Sequence, residues 1–197
     1  KYSDIETRHK IKLKDHRLLL QGIILAVFIS STLEFWINKY LLSTTLILIP
    51  GKFILLFVTF WGQSLIAEQV SKFYGIAIPQ NFDKPWLARN IREFWERWHR
   101  SMAQFIFKYI FAPISIKGGS PKFAAICSFI FMGLWHQCSV AYILWGLIHG
   151  FLLVSWPKPD RFGLIGKICN GRFAVLIVFF IVSGLSYMAN YSFLAKI

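Results

Sequence analysis

Acidic residues are scarce in this sequence of 197 residues, in which 9 are Asp or Glu and 22 are Lys or Arg. The formal net charge is therefore +13. The basic residues concentrate in four polar stretches, at 1–17, 84–100, 117–122 and 158–172. No nucleic-acid-binding motif accompanies them, so we expect no nucleic-acid partner. The pattern instead favours polar loops that follow the positive-inside bias and contact anionic lipid headgroups.

Cysteine is also scarce. The three residues, Cys127, Cys138 and Cys169, lack the C-x-x-C spacing of many zinc and redox sites, and an odd number excludes complete pairing within one chain. We therefore expect no metal site and interpret all three as small packing residues in the protein interior. A thioester on Cys138, which lies close to His136, is the alternative.

No long series of alternating ten-residue strands is present, which excludes a membrane-spanning β-barrel. Long apolar blocks are present instead, and 56% of the residues are hydrophobic. Blocks of about 17 to 22 apolar residues can cross a hydrocarbon core roughly 30 Å thick. Four such blocks occur, at 18–37, 46–67, 140–156 and 173–189. The sequence thus predicts an all-α, polytopic membrane protein whose first span starts on the cytoplasmic side.

Two features interrupt this pattern. Pro50-Gly51 predicts a break in the second hydrophobic block, because proline removes a backbone donor. The short apolar run at 123–135 predicts a tilted, broken or re-entrant helix that its neighbours bury. No internal repeat is apparent, so we expect a single membrane domain over 1–197. Because the chain opens on a charged run without a signal peptide, we expect a fragment of a longer protein.

The stretch NIREFWERWHRSMAQF at 90–105 mixes charges with aromatic residues. Asn90 followed by Glu93 has the spacing of a helix-capping box, with Asn in place of Ser or Thr. We expect one amphipathic helix at the membrane interface, with charged residues on its polar face. His99 falls at the border of the apolar face, where simple packing is its structural alternative. The predicted apolar face comprises Ile91, Phe94, Trp95, Trp98, Met102, Phe105, Ile106 and Tyr109.

Two further histidines lie in or beside apolar segments, in MGLWHQCSVAYILWGLIHG at 132–150. Ionisable side chains at membrane depth are costly, which makes them candidates for function. His136 ends the short apolar run beside Trp135, where we expect a helix break and a side chain that points into a cavity. His149 falls inside a predicted span, on one stripe with Trp145. For His149, a neutral core histidine that donates to a backbone carbonyl is the structural alternative.

An ordered series of motifs carries a family resemblance over about residues 62–156. P-x-N-F, R-N-I-x-E-F-W-x-R-W-H-x-S, and G-x-W-H followed by W-G-x-x-H-G resemble the bacterial branch of the membrane-bound O-acyltransferase family. The resemblance extends to members that acetylate alginate and to those that transfer D-alanine in teichoic acid synthesis. It implies a helical fold around a tunnel through the membrane, in which two polar residues meet. His99 matches the first of these residues and His136 the second.

The resemblance implies an enzyme that moves an acyl group, expected to be acetyl, from a thioester to a hydroxyl of an exported polysaccharide or related envelope acceptor. Imidazole titrates near pH 6.5 and suits this chemistry. We expect His136 to be the general base and His99 to orient the acceptor or stabilise the oxyanion. No Ser–His–Asp arrangement is apparent, which favours direct transfer. The candidate substrate-binding residues are Trp98, Ser101, Trp135, Trp145 and His149.

The implied setting is the inner membrane of a bacterium, which the chain crosses several times. The implied partners are the lipid bilayer, acetyl-CoA or an acyl carrier protein as donor, and in some systems an extracytoplasmic partner protein; we expect no tightly bound cofactor. The sequence departs from the family pattern at Gln63, Leu65, Phe107, Lys108 and Gln137. These departures leave open a catalytically inactive scaffold of an envelope assembly. A haem- or metal-binding bundle that uses the histidines is a further alternative.

Overall fold

The computed structural model describes residues 13–41, 45–171 and 174–191, and every regular element in these ranges is helical. This confirms the all-α prediction. Most of the charged N-terminal run, whose cytoplasmic placement was predicted, lies outside the described residues. The described chain clusters into two compact units, which divide between Asn81 and Phe82. The single membrane domain stays a prediction.

The first unit consists of long, apolar helices. Its elements are α1 (Leu13–Ile23), a π-helical segment (Ile24–Ile29), α2 (Ser30–Trp36), a second π-helical segment (Ile37–Leu41) and α3 (Thr45–Phe73). Two stretches, His16–Tyr40 and Leu48–Phe73, are long and apolar enough to cross a membrane. They agree with the first two predicted spans. Large side chains such as Phe28 and Leu56 are exposed, as contact with lipid requires.

The predicted break at Pro50-Gly51 is wrong, because α3 continues through both residues. Proline interferes with a helix by removing one amide donor and by crowding the carbonyl one turn earlier. Pro50 lies near the start of α3, where few preceding turns exist to be disturbed. The long apolar segment that follows carries the helix onward to Phe73.

Glycine permits the close approach of α1 and α3. A Cβ added to Gly62 would lie 2.5 Å from the backbone nitrogen of Ala26 and 2.8 Å from the carbonyl oxygen of Gly22. Side chains larger than hydrogen would therefore push the two helices apart. Small residues serve the same purpose at many helix contacts within membranes.

Two hydrogen bonds from Asn81 join the end of the first unit to α3. The Asn81 amide side chain donates to Ser64 Oγ (3.0 Å), and its backbone N–H donates to Glu68 Oε1 (3.0 Å). Both acceptors lie on α3 and are buried. The asparagine of the P-x-N-F motif thus ties its loop to α3 through Ser64, which lies between two departures from the family pattern, and through Glu68.

The second unit is built around a pair of short helices. Its elements are a 3-10 turn (Pro85–Leu87), α4 (Ile91–Arg97), α5 (Arg100–Ile106), a π-helical segment (Phe107–Phe111), α6 (Ala112–Ile116), α7 (Pro121–His136), α8 (Val140–Ser155), α9 (Pro159–Cys169) and α10 (Ala174–Tyr191). Ser120 caps α7 and Ser139 caps α8, each by accepting an amide hydrogen bond. The core of the unit comprises Ile106, Phe129, Met132, Trp145 and Ala189.

The helices α7 and α8 each have 16 residues. At 1.5 Å per residue each is about 24 Å long, less than the roughly 30 Å of a hydrocarbon core. The short helix predicted at 123–135 is present but unbroken, and the break follows it at 137–139. The predicted span at 140–156 is too short to count as a full crossing. In the described chain, Phe162–Cys169 and Ala174–Asn190, bent by 77°, would together make a third candidate span.

The cysteines are free thiols with different exposure. Cys127 and Cys169 are half-buried, whereas Cys138 is exposed. The prediction of an interior position is therefore wrong for Cys138. This residue belongs to the three-residue connection between α7 and α8, in which Gln137 is exposed as well and Ser139 is buried.

Two glycines set the distance between α7 and α8. A Cβ on Gly133 would overlap the carbonyl oxygen of Tyr142, and one on Gly146 would overlap the carbonyl oxygen of Phe129. The helices therefore contact each other through their backbones, so their separation cannot shrink and larger residues can only widen it.

We expect Gly146→Ala to destabilise the full-length protein by about 1–3 kcal/mol, because the added methyl group overpacks the α7–α8 contact. Thermal unfolding in detergent would measure the change. Gly184→Ala on α10 is the matched control, since a Cβ there meets no atom within 4 Å. Equal melting temperatures for the two variants would contradict the close approach.

Candidate active site at the end of α7

The predicted amphipathic helix is two helices. The α4 helix ends at Arg97, and α5 begins at Arg100 after an extended Trp98 and a left-handed His99 with φ of +47°. Positive φ is uncommon for a residue other than glycine and costs on the order of 1–3 kcal/mol. The prediction of one continuous helix is therefore wrong. Of the predicted apolar face beyond the break, Ile106 is buried and Met102 packs against the core, whereas Phe105 and Tyr109 are exposed.

The start of α4 follows the prediction. The Asn90 side chain accepts a hydrogen bond from the backbone N–H of Glu93 (2.9 Å). The Glu93 carboxylate accepts from the backbone N–H of Arg89 (2.8 Å) and from the Arg97 guanidinium (2.8 Å). Burial raises the pKa of Glu93, but these hydrogen bonds outweigh it and hold the pKa below its ordinary value.

The apolar side of α4 forms a small core with the preceding loop. The ring of Trp98 stacks on Phe94, with centroids 5.4 Å apart, and meets the edge of Phe82 at 5.0 Å. All three side chains are buried, as is Ile91. These contacts give Trp98, a predicted substrate-binding residue, a packing role that anchors the break.

The break directs His99 toward the end of α7. Its ring centroid lies 6.3 Å from that of Trp135, and its Nδ1 lies 3.5 Å from Ser101 Oγ. His99 is half-buried and lies outside the candidate spans. Burial, reinforced by the nearby His136, lowers its pKa from 6.5 to about 4. The imidazole is therefore neutral at neutral pH.

His136 is the last residue of α7. Its ring lies 5.1 Å from Trp135, 5.9 Å from Tyr142 and 5.8 Å from Trp145. Trp135 thus lies near both His136 and His99, and both Trp135 and His136 are exposed. The arrangement groups two histidines, a serine and two tryptophans that the sequence singled out.

His149 occupies a different environment beneath this group. It is fully buried, and its Nδ1–H donates to the carbonyl oxygen of Trp145 at 2.8 Å. Its ring contacts the rings of Trp145 (4.2 Å) and Trp95 (5.3 Å). This hydrogen bond is the one expected of a neutral core histidine that donates to a backbone carbonyl, which was the structural alternative for His149. Among the described residues, its Nε2 and the Nε1 of Trp95 have no hydrogen-bond partner.

Trp95 contacts two of the candidate site residues, Trp145 and His149, and the sequence did not single it out beyond its place on an apolar face. Its ring touches Phe129 at 5.2 Å and Trp145 at 5.9 Å, so it joins α4 to both members of the hairpin. Its place on the apolar face of α4 is the signal in the sequence that points to it. Within the described ranges, no three His, Cys, Asp or Glu side chains come together as a metal site.

We expect the stability of the full-length protein to fall as the pH drops from about 6.5 toward 4, in part through His99. In this window the unfolded imidazole binds a proton that the folded one does not, so protonation favours unfolding. His99→Gln should reduce the pH dependence of the melting temperature between these values and leave it unchanged above pH 7. Parallel wild-type and variant curves throughout would exclude this account of His99.

Comparisons with known proteins find similarity to bacterial enzymes whose names refer to teichoic acid and peptidoglycan. It is 36% identical over 119 residues to a teichoic acid D-alanyltransferase of Streptococcus thermophilus, which covers 54% of the chain and 29% of that protein. It is 30% identical over 151 residues to the teichoic acid D-alanyltransferase of Bacillus subtilis, covering 66% of the chain and 38% of that protein. A peptidoglycan O-acetyltransferase of Helicobacter pylori is 34% identical over 101 residues, covering 50% and 19%.

These relatives are longer than the chain, which spans between about a fifth and two fifths of their lengths. The family model of the membrane-bound O-acyltransferases matches residues 19–155. This match begins upstream of the motifs that carried the resemblance, and it includes α4, α5 and the α7–α8 hairpin. The chain belongs to the membrane-bound O-acyltransferase family.

Proposed function

We propose that the full-length protein is a membrane-bound O-acyltransferase that moves an acetyl group from a thioester to a hydroxyl of an envelope polysaccharide. The observation that carries the proposal is the meeting of His99 and His136 around Trp135, at the end of a short apolar helix. Family membership supports the reaction class, and the relatives that act on teichoic acid and peptidoglycan support an envelope acceptor.

In the proposed reaction, His136 accepts the proton of the acceptor hydroxyl. The hydroxyl oxygen then forms a bond to the thioester carbonyl carbon, and the carbonyl oxygen becomes an oxyanion. When this intermediate collapses, the carbon–sulfur bond breaks and the thiolate leaves. The proton on His136 passes to that sulfur, which restores the neutral imidazole. Positioned acid–base catalysis of this kind contributes roughly 10² to 10⁴ in rate.

His99 has the complementary role in this proposal. A neutral imidazole keeps one N–H donor, and the lowered pKa of His99 favours that form at neutral pH. We assign this donor to the acceptor hydroxyl or to the developing oxyanion. Ser101, close to Nδ1 of His99, would fix the ring, while Trp135 and Trp145 would form the walls of the site.

The proposal places the protein in the inner membrane of a bacterium, with acetyl-CoA or an acyl carrier protein as the cytoplasmic donor. The apolar helices support a membrane location. An extracytoplasmic partner that presents the acceptor belongs to the same proposal. D-alanine is a second candidate acyl group, because the two teichoic acid D-alanyltransferases align over more than half of the chain.

The test is label transfer by the full-length protein in membranes, with labelled acetyl-CoA and labelled D-alanyl carrier protein supplied separately. We expect acetyl label on an envelope polymer, and we expect His136→Ala to reduce the rate by roughly 10² to 10⁴ at matched expression, because the base is lost. His99→Ala should also reduce it. His16→Ala, at an exposed position in the first unit, is the matched control.

Each outcome decides between named functions. Transfer of D-alanine but not acetyl would change the proposed acyl group to D-alanyl and leave the proposed mechanism as it is. Undiminished transfer by His136→Ala would exclude this residue as the base. Absence of transfer from every donor, with the envelope assembly intact, would favour the inactive scaffold.

A further inference from the structure

The polar side of α4 borders an open cleft in the second unit. The cleft has a volume of about 440 Å³, within the usual range for small-molecule sites. Four arginines line it, namely Arg89, Arg92, Arg97 and Arg100. We call it the arginine cleft. Asp83, Glu93 and Glu96 are the carboxylates among its lining residues, so the lining carries more guanidinium groups than carboxylates.

One carboxylate serves two of the arginines. Glu93 Oε1 lies 2.8 Å from the Arg97 guanidinium, and Glu93 Oε2 lies 3.4 Å from Nε of Arg89. The Glu93 side chain is only 16% exposed, so it forms the floor of the cleft beneath them. A single negative charge shared by two guanidinium groups leaves positive charge facing the opening.

The other pairs are looser. Arg100 and Asp83 approach to 4.0 Å, and both side chains are more than a third exposed. Such exposed pairs contribute little and exchange readily with water or another anion. Arg92 and Glu96 are exposed as well. Each guanidinium has five N–H donors, so donors remain for a ligand.

We propose that the arginine cleft binds a phosphate group, either from an anionic lipid headgroup or from the phosphorylated arm of a thioester donor. Guanidinium groups bind phosphate oxygens in pairs of parallel hydrogen bonds, which makes arginine clusters typical of phosphate sites. The candidate spans give the protein a membrane surface, where such headgroups lie.

The position of the cleft favours a link to the candidate active site. Arg97 and Arg100 flank the Trp98–His99 break, so the same turn that directs His99 toward Trp135 leaves two arginines at the cleft. A donor held there by its phosphate would have its chain close to His99. The donor source rests on the proposed function, whereas the lipid source does not.

The first arm measures binding without turnover. The full-length protein in neutral phosphatidylcholine nanodiscs is titrated with CoA and with pantetheine, which lacks phosphate. Arg92→Gln/Arg100→Gln should weaken CoA binding at least tenfold and leave the affinity for pantetheine unchanged. Lys117→Gln/Lys122→Gln is the matched control, because it removes two exposed positive charges that do not line the cleft. Arg92→Lys/Arg100→Lys keeps the positive charges but loses the paired N–H donors of the guanidinium groups. Its CoA affinity should lie between those of the wild type and the Gln variant.

The second arm measures retained phosphatidylglycerol by native mass spectrometry. Loss of retained lipid in the Gln variant alone, with CoA binding unchanged, assigns the site to a headgroup; loss of CoA affinity assigns it to the donor. The proposal is overturned if the Gln variant retains lipid and binds CoA as the wild type does. It is also overturned if the wild type shows no phosphate-dependent binding. If binding changes as expected but no acyl transfer occurs with any donor, the phosphate site in the arginine cleft is supported and the proposed function is contradicted.

Discussion

The chain turns sharply at Trp98–His99, and the candidate site depends on that turn. Trp98 is held in a buried aromatic core by Phe94 and Phe82, which fixes the end of α4. The next residue adopts a left-handed conformation that an isolated helix would avoid. Packing of the Trp98 side chain offsets this strain. As a result, the side chain of His99 lies near Trp135 of α7. Without the turn, His99 would continue along α4 and the two catalytic candidates would not meet.

The α7–α8 hairpin supplies the other half of the site through close backbone contact. Gly133 and Gly146 let the helices touch, and this contact brings Trp145 of α8 beside His136 at the end of α7. Below them, the hydrogen bond from His149 to the Trp145 carbonyl ties the same tryptophan to its own helix. The site thus rests on two closely packed helices, each about 24 Å long, and His136 lies at the end of one of them.

Much of this could be predicted from local patterns. The apolar blocks predicted the helices, and Asn90 and Glu93 predicted where α4 begins. The motifs singled out His99 and His136, both of which lie near Trp135, and their catalytic role stays a prediction. The break could not be predicted, because apolar residues recur at helical spacing on both sides of it and neither Gly nor Pro marks it. Contacts distant in sequence, between Trp98 and Phe82 and between His99 and Trp135, decide the backbone there. Pro50 is the opposite case, in which a strong local signal for a break yields to the length of α3.

The most direct test of this account is a distance measurement across the turn. In a full-length protein with Cys127, Cys138 and Cys169 replaced by Ser, cysteine pairs would be introduced as His99→Cys/His136→Cys and Glu96→Cys/His136→Cys. A short bifunctional thiol reagent should link the first pair efficiently, because the break directs position 99 toward the end of α7. The second pair should remain unlinked, since Glu96 lines the arginine cleft on the polar side of α4. In an unbroken helix, positions 96 and 99 would share one face, so the two pairs would link equally. Equal linking of both pairs, or failure of the first pair to link, would therefore contradict the site.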